Sequence, residues 1–409
     1  MFRVLDFPLY AFIASIPFET IGSRNGGAVD ATISWALGIL WAITSVLDTR
    51  VKLKRFPPVL IAMTLLAIVY FGFSLPINPF LRDMSNHFSL LLLQMTIMIW
   101  LIIGVVSERP YMYQRIAWIF AVSCAVTSFL QLLGLGFAVN VVDKVRVAAI
   151  GEDPNTWCGK LAVGFVLAAG LALRWKHLSF LPIVTFSFVC LMIVPAALQS
   201  GSRTGLASIV VGISVLGISS IMPSKGLSRF RRAALVIAAS GTLIWGIGGS
   251  TLTATRWTSA LTTGDMASRQ FVYPEELRMI MAKPLLGWGP VQNGVELCSK
   301  VGACKGTRST ENTFGWALTS LGILGSAPFF YVLGTAWKCA LRLRRTVLGW
   351  TPLAALSTTL AISCGIEWYH VKVYWLIIGL TIAAAEMPIS RGRAWIGSPV
   401  HFGLRPEPK

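Results

Sequence analysis

The sequence predicts an all-α, polytopic integral membrane protein, and three observations carry that prediction. Hydrophobic residues make up 55% of the 409-residue chain and charged residues only 13%, where soluble domains carry about 25% charged residues. About twelve stretches approach the roughly 20 mostly apolar residues that a helix needs to cross the hydrocarbon. Loops rich and poor in Lys and Arg alternate along the chain, as cytoplasmic and external loops do. With a mean hydropathy of +0.69, this composition excludes a soluble enzyme, a disordered chain and a small disulfide scaffold.

The apolar stretches run 7–22, 28–47, 57–75, 88–106, 113–134, 158–173, 178–198, 204–221, 233–249, 312–337, 350–366 and 371–387, the first and sixth being short. Stretch 7–22 reads as a span and not a signal peptide, because no small-residue cleavage site follows it. With Met1 cytoplasmic, the inner loops hold Arg50 to Arg55, Arg109 and Arg115, Arg174 and Lys176, Lys225 to Arg232, and Lys338 to Arg345. The short outer loops hold only Arg24, Arg82, Lys144, Arg146, Arg203 and Lys372. That asymmetry predicts an even number of spans with both termini inside. The chain then divides into spans one to nine (1–249), a long outer loop (250–311), three last spans (312–390) and a cytoplasmic tail (391–409) whose RPEPK end reads as disordered. Most of the net charge of +18 is thus a topology signal and an attraction to anionic membrane lipid, not a nucleic-acid footprint.

Several function classes lack their motifs. There is no Walker A sequence for ATP-driven transport and no glycine-rich strand–turn–helix for a dinucleotide. The four histidines, His87, His177, His370 and His401, do not pair at metal-ligand spacing. Neither a metal nor a cofactor is expected. Cys124, Cys190, Cys339 and Cys364 lie in or beside spans and read as small buried hydrophobes. Cys298 and Cys304, in CSKVGAC of the outer loop, suit a disulfide in an oxidising compartment; the plain alternative is two free thiols.

The outer loop breaks the charge pattern, holding Arg256, Arg269, Arg278, Lys283, Lys300, Lys305 and Arg308. An anionic ligand at the membrane face accounts for them; a solvated loop is the plainer reading. Within SRQFVYPEELRMIMAKPLLGWGP, Pro274 suits a first helical position with Glu275 and Glu276 in the first turn. Leu277, Ile280 and Met281 follow as an apolar stripe and Pro284 stops it, which predicts a short amphipathic helix at the membrane surface, either a brace or a gate to donor access. Gly287 and Gly289 allow a tight turn after it. In TENTFGWALTSLGILG, Thr310 suits a helix cap and places Glu311 and Asn312 in the first turn of span ten, where an acid also complements the helix dipole. Gly322 and Gly325 fall deeper, where small residues let helices pack closely.

Arg203, in QSGSRTG, sits in a very short loop at the hydrocarbon boundary, where a lone cation is costly unless paired or snorkelling to lipid phosphate. Arg203, Arg269 and Glu311 all reach the same interface. Guanidinium groups bind phosphate oxygens through a fixed fork and stay charged. A diphosphate leaving group gains negative charge as its bond to a sugar breaks, so fixed cations favour that transition state. A carboxylate beside them can take the proton of an attacking sugar hydroxyl.

These residues resemble the O-antigen ligase and polysaccharide polymerase superfamily of bacterial envelope enzymes. The resemblance spans most of the chain: the twelve-span plan, the long outer loop before the last spans, GEDPN before span six, SGSRTG before span eight, and SRQ…PLLGWG in the loop. The family pattern of His, then Asn, Ser or Gln, nine residues, Gly, two residues and Gly is matched in spacing by Glu311, Asn312, Gly322 and Gly325, with Glu311 where ligases usually have His. The resemblance implies a metal-independent, inverting glycosyltransferase of the bacterial inner membrane. Its donor would be an undecaprenyl-diphosphate-linked glycan and its acceptor a glycan or lipid A-core, joined on the periplasmic face. It maps the family's two functional arginines onto Arg203 and Arg269 and its catalytic position onto Glu311.

Other polar residues rank second. Asp153 and Asn155 precede span six and suit helix capping, while Lys160 in that span's first turn could also meet phosphate. His370, between Glu367 and Lys372 in the last outer turn, is the alternative base, or an interfacial His beside Trp368 and Tyr369. Arg278 and Lys283 line a donor entrance or are simply solvated. The rival class is a transporter or flippase of lipid-linked sugars, which would place ionisable residues at mid-membrane depth.

Overall fold

The computed structural model describes residues 4–19, 33–48, 57–74, 79–109, 111–141, 144–149, 152–174, 180–221, 241, 249–264, 266, 268–302 and 306–386. Among them fourteen α-helices follow one another in the chain: α1 Phe7–Ser15, α2 Ile33–Leu47, α3 Pro58–Ser74, α4 Pro79–Glu108, α5 Tyr111–Leu130, α6 Pro154–Ala172, α7 Phe180–Ser200, α8 Arg203–Ile221, α9 Thr251–Thr263, α10 Arg269–Ala282, α11 Gln292–Val301, α12 Thr313–Leu343, α13 Thr351–Ser363 and α14 Lys372–Ala385. Five segments are long and apolar enough to cross a membrane: Leu81–Glu108, Tyr111–Leu135, Pro154–Ala172, Ile183–Ser200 and Thr313–Leu343. Six shorter apolar helices coincide with further predicted stretches. Stretch 233–249 lies almost wholly outside the described residues.

The architecture is helical, with one exception to the all-α prediction. Between α5 and α6, strands β1 (Gly136–Val141) and β2 (Lys144–Ala149) pair antiparallel, with Val139 opposite Arg146 and Val141 opposite Lys144. The physical reason is local: Val alternates with polar residues at 139, 141, 145 and 147, a period of two that suits a strand and not a helix. The hairpin begins where Gly134, with φ of +83°, ends the helical run.

Helix α6 is at the centre. All its residues but Asn155 and Thr156 are buried, because α5, α7, α8 and α13 pack around it. Helix α14 is similarly enclosed by α4, α12 and α13. Helices α3, α7 and α8 keep apolar side chains exposed, among them Ile61, Leu65, Ile68, Leu191 and Val210, as lipid-facing helices do. At the end of the bundle where α4 gives way to α5, Arg109 donates to Asp6 and to Asp48, both at 2.6 Å. This buried triad ties α1, α2 and α4 together. At the other end, the loops before α6, α8, α12 and α14 converge with α9, α10 and α11.

Helix α12 is broken. Gly322 sits within it at φ +64° and ψ −172°, and the segment Pro284–Gly289 runs through the break. In an uninterrupted helix the amides of Ile323 and Leu324 would bond the carbonyls of Thr319 and Ser320. Here all four groups bond the segment instead. Ile323 N donates to Pro284 O (2.8 Å) and Leu324 N to Leu285 O (3.1 Å), while Trp288 N donates to Thr319 O (2.7 Å) and Gly289 N to Ser320 O (2.8 Å). A Cβ on Gly322 would meet Leu285 O at 2.3 Å, and one on Gly287 would meet Gly322 N at 2.6 Å. Both glycines therefore serve one junction.

Candidate active site

The site forms where α12 begins. Asn312 is its N-cap, accepting at Oδ1 from the Gly315 amide and donating through Nδ2 to Glu276 Oε2 at 2.6 Å. Thr310, predicted as the cap, instead gives its amide (2.8 Å) and hydroxyl to Glu367 Oε1. The cap shifts by two residues because an amide side chain caps better than threonine and Glu276 locks its orientation. Glu311 thus precedes the helix, not in its first turn, and adopts φ of +58°, a left-handed backbone that bulky residues hold only when surroundings fix it.

The Glu311 carboxylate lies between two arginines. Oε2 is 3.4 Å from Arg269 Nη2, and Oε1 is 3.7 Å from Arg308 Nη2. Arg269 is the first residue of α10, which starts five residues before the predicted Pro274; Pro274 lies inside the helix. Arg269 Nη2 also donates to Gly365 O at 2.6 Å, and Arg308 to Ser268 Oγ. The Nε groups of both arginines are buried with no hydrogen-bond partner among the described residues. Burial raises the Glu311 carboxyl above its ordinary value, and Arg269 and Arg308 oppose the rise without cancelling it.

Three more arginines, Arg203, Arg256 and Arg146, are held nearby by other partners. Arg203, the first residue of α8, donates to Arg256 O at 3.0 Å, and Arg256 donates to Gly201 O at 2.5 Å. Arg146, buried on β2, donates to Ser200 O and to Asn155 Oδ1, both at 2.8 Å. Its guanidinium is held below its ordinary value, first by burial and also by the like charges of Arg203 and Arg269; Asp153 opposes them. Arg203 and Arg269 therefore both lie near enough to Arg146 to act on its charge. Asp153 caps α6, accepting from the amides of Asn155 and Thr156.

Two further acids back Glu311. Glu276 is 4% exposed, and burial, with Glu367 and Glu311 nearby, pushes its carboxyl up to about 9; the Asn312 hydrogen bond opposes this. Burial likewise raises Glu367. Both are protonated more readily than an ordinary carboxylate, so Glu311 is the acid of the three best kept charged by cations.

Lys160 and His370 belong to a neighbouring network. Lys160 Nζ is 2.6 Å from Glu152 and 3.7 Å from Glu19, which also pairs with Lys372. Lys160 is therefore committed to carboxylates. Burial, opposed by Lys160, raises Glu152 to about 7. His370 packs edge-on against Tyr369 at 5.6 Å, and burial lowers it to about 4, so its ring is neutral near pH 7. Its charged neighbours are Glu19, Lys160 and Asp153. Arg278 is 68% exposed and paired with Glu275 on α10. Cys298 is disulfide-bonded; Cys304, the predicted partner, lies outside the described residues. Cys364 is exposed, contrary to its buried reading, because it lies on the turn after α13. Among the described residues no three His, Cys, Asp or Glu side chains converge as a metal site.

Compared with known proteins, the chain matches no family model and no curated sequence. Sequence reading picked out Arg203, Arg269 and Glu311 and passed over Arg146, Arg308, Glu276 and Glu19 as site residues. Arg146 carries a faint signal, a cation in a Val-alternating stretch, and Glu19 another, an acid at the end of an apolar run. Arg308 carries none beyond its loop.

Proposed function

We propose that this protein is a membrane glycosyltransferase of the O-antigen ligase and polysaccharide polymerase type. It transfers or polymerises an undecaprenyl-diphosphate-linked glycan during synthesis of a surface polysaccharide: O-antigen, capsule or exopolysaccharide. In this reading about twelve helices cross the bacterial inner membrane, both termini are cytoplasmic and the site faces the periplasm. The observation that carries it is the Glu311 carboxylate between Arg269 and Arg308.

The chemistry follows from that arrangement. Arg203 and Arg269 bind the donor diphosphate, and the unpartnered Nε–H groups of Arg269 and Arg308 are donors that its oxygens satisfy. The acceptor hydroxyl attacks the anomeric carbon from the face opposite the diphosphate, so the configuration inverts. The sugar–oxygen bond to the diphosphate breaks, the undecaprenyl diphosphate leaves with the electron pair, and Glu311 takes the hydroxyl proton. Asn312 and Glu276 hold Glu311 in place. The reaction so written calls on no metal ion or cofactor.

The test uses purified protein in lipid vesicles with undecaprenyl-diphosphate repeat units, with and without lipid A-core, and gel-resolved products. A ladder from donor alone identifies a polymerase; a single transfer needing the core identifies a ligase. Absence of any product with a cognate donor overturns the reading, and donor movement across the vesicle membrane in its place identifies a transporter.

A further inference from the structure

The break in α12 has a partner that comes from the extramembrane loop. Helix α12 has 31 residues, so it is about 46 Å long at about 1.5 Å per residue, against a hydrocarbon layer of about 30 Å. Gly322 is nine residues from its start, or about 14 Å. With the helix centred, that places Gly322 about 5 Å inside the hydrocarbon boundary. The segment bonded to the break must lie at the same depth. Helix α10 leads there: Arg269 at its start touches Glu311, level with the start of α12, and Leu285 just past its end bonds Leu324.

The side chains fit that depth. Leu277, Met281, Leu285 and Leu286 are 57–64% exposed, and Ile323 and Leu324 on α12 are 54% and 60% exposed. Pro284 and Leu285 bond Ile323 and Leu324 through their backbones, which brings the two exposed sets together at the break. The segment holds two cations: Arg278, 68% exposed, pairs back toward the start of α10 with Glu275, and Lys283 lays its ammonium 3.9 Å from the centre of the Trp288 ring, as long basic side chains near an interface do. Non-helical backbone at membrane depth survives only when its polar groups are bonded within the protein. The four exchanged hydrogen bonds at Gly322, and Gly287 N donating to Lys283 O at 3.1 Å, meet that demand.

We infer that residues 277–289 form a re-entrant segment, held in the hydrocarbon by the broken α12, with the Leu277–Met281–Leu285–Leu286 face covered by acyl chains of the surrounding bilayer. The segment then joins Arg269, in the charged site, to the lipid phase through one helix. The inference stands on helix geometry and is independent of the reaction proposed above.

The test is nitroxide accessibility in the full-length protein, reconstituted in phosphatidylcholine bilayers. Labels go on Leu286→Cys and, separately, Met281→Cys, with Cys364→Ser removing the exposed free thiol. Leu191→Cys on α7 is the lipid-facing reference, away from the tested face. Each variant is first required to elute as the wild type does. The expected result is frequent collision with oxygen and little with a water-soluble nickel chelate, in the ratio found at Leu191. A label at both sites that collides freely with the nickel chelate overturns the inference, since the segment is then in water. Labels shielded from both relaxants also overturn it, because a protein surface such as a second copy then covers the face.

Discussion

Glu311 and Arg269 meet at 3.4 Å across 42 residues of sequence, one just before α12 and the other opening α10. Each is fixed by something else: Arg269 by the Gly365 carbonyl, Glu311 by the Thr310 and Asn312 anchors on either side. The contact is long for a charge-assisted pair. Arg269 is thus positioned by the fold and remains able to bind a second anion.

Substitution of Arg269 separates charge from fork geometry. Arg269→Lys keeps a cation but loses the bidentate donor set, and Arg269→Ala loses both. Removing one transition-state donor in an acyl-transfer enzyme costs about 10²–10³ in rate. A loss of that order is expected for Arg269→Ala in the vesicle assay, with Arg269→Lys in between. Equal rates for all three forms would remove Arg269 from the site.

The pH profile tests Glu311. Burial raises its carboxyl above the ordinary range, with Arg269 and Arg308 opposing. A base must be ionised, so activity falls as pH drops through that raised value. The acid limb of kcat/KM is therefore expected above the usual carboxylate range, and Arg308→Gln, removing a stabilising cation, moves it further up. Glu311→Gln abolishes the limb along with most of the rate. A Glu311→Gln protein with full activity shows that the proton leaves by another route.

Which parts of this were legible in the sequence follows from the range of the interactions. Apolar runs and loop charges are local, and they located the helices. Arg203 stands out because charge beside an apolar span is costly, whereas Arg269 and Glu311 stand out through the resemblance of the motifs that hold them. The break at Gly322 was not legible as a break, since a glycine in a span reads equally well as a packing contact; its meaning depends on Pro284–Gly289 arriving from the preceding loop. Asn312 reads as a first-turn residue and not as the cap for the same reason: Glu276, which orients it, is 36 residues away.

Glu276 makes stability depend on pH. Its carboxyl rises to about 9 in the folded protein from an ordinary 4.5. Between those values the folded state binds more protons than the unfolded state, so this group's contribution is full below the unfolded value and lost as pH rises toward 9. Glu276→Gln keeps an oxygen for Asn312 Nδ2 and removes the ionisation. Thermal melts in detergent from pH 5 to 9 are expected to show a steeper decline for wild type than for Glu276→Gln. Parallel declines would mean that Glu276 ionises freely.

The Gly322 and Gly287 junction predicts non-additive damage. Gly322→Ala puts a Cβ 2.3 Å from Leu285 O in a backbone region that L residues avoid, and Gly287→Ala puts one 2.6 Å from Gly322 N. Each is expected to cost at least about 1–3 kcal/mol, the usual penalty for a residue held in a sparsely populated conformation. Both act by pushing Pro284–Gly289 out of the break, so once one has displaced the segment the other has little left to disturb. The double variant is expected to melt close to the worse single variant, where independent sites would add. Full additivity in the double-mutant cycle would show that the segment stays in place and that each glycine acts alone.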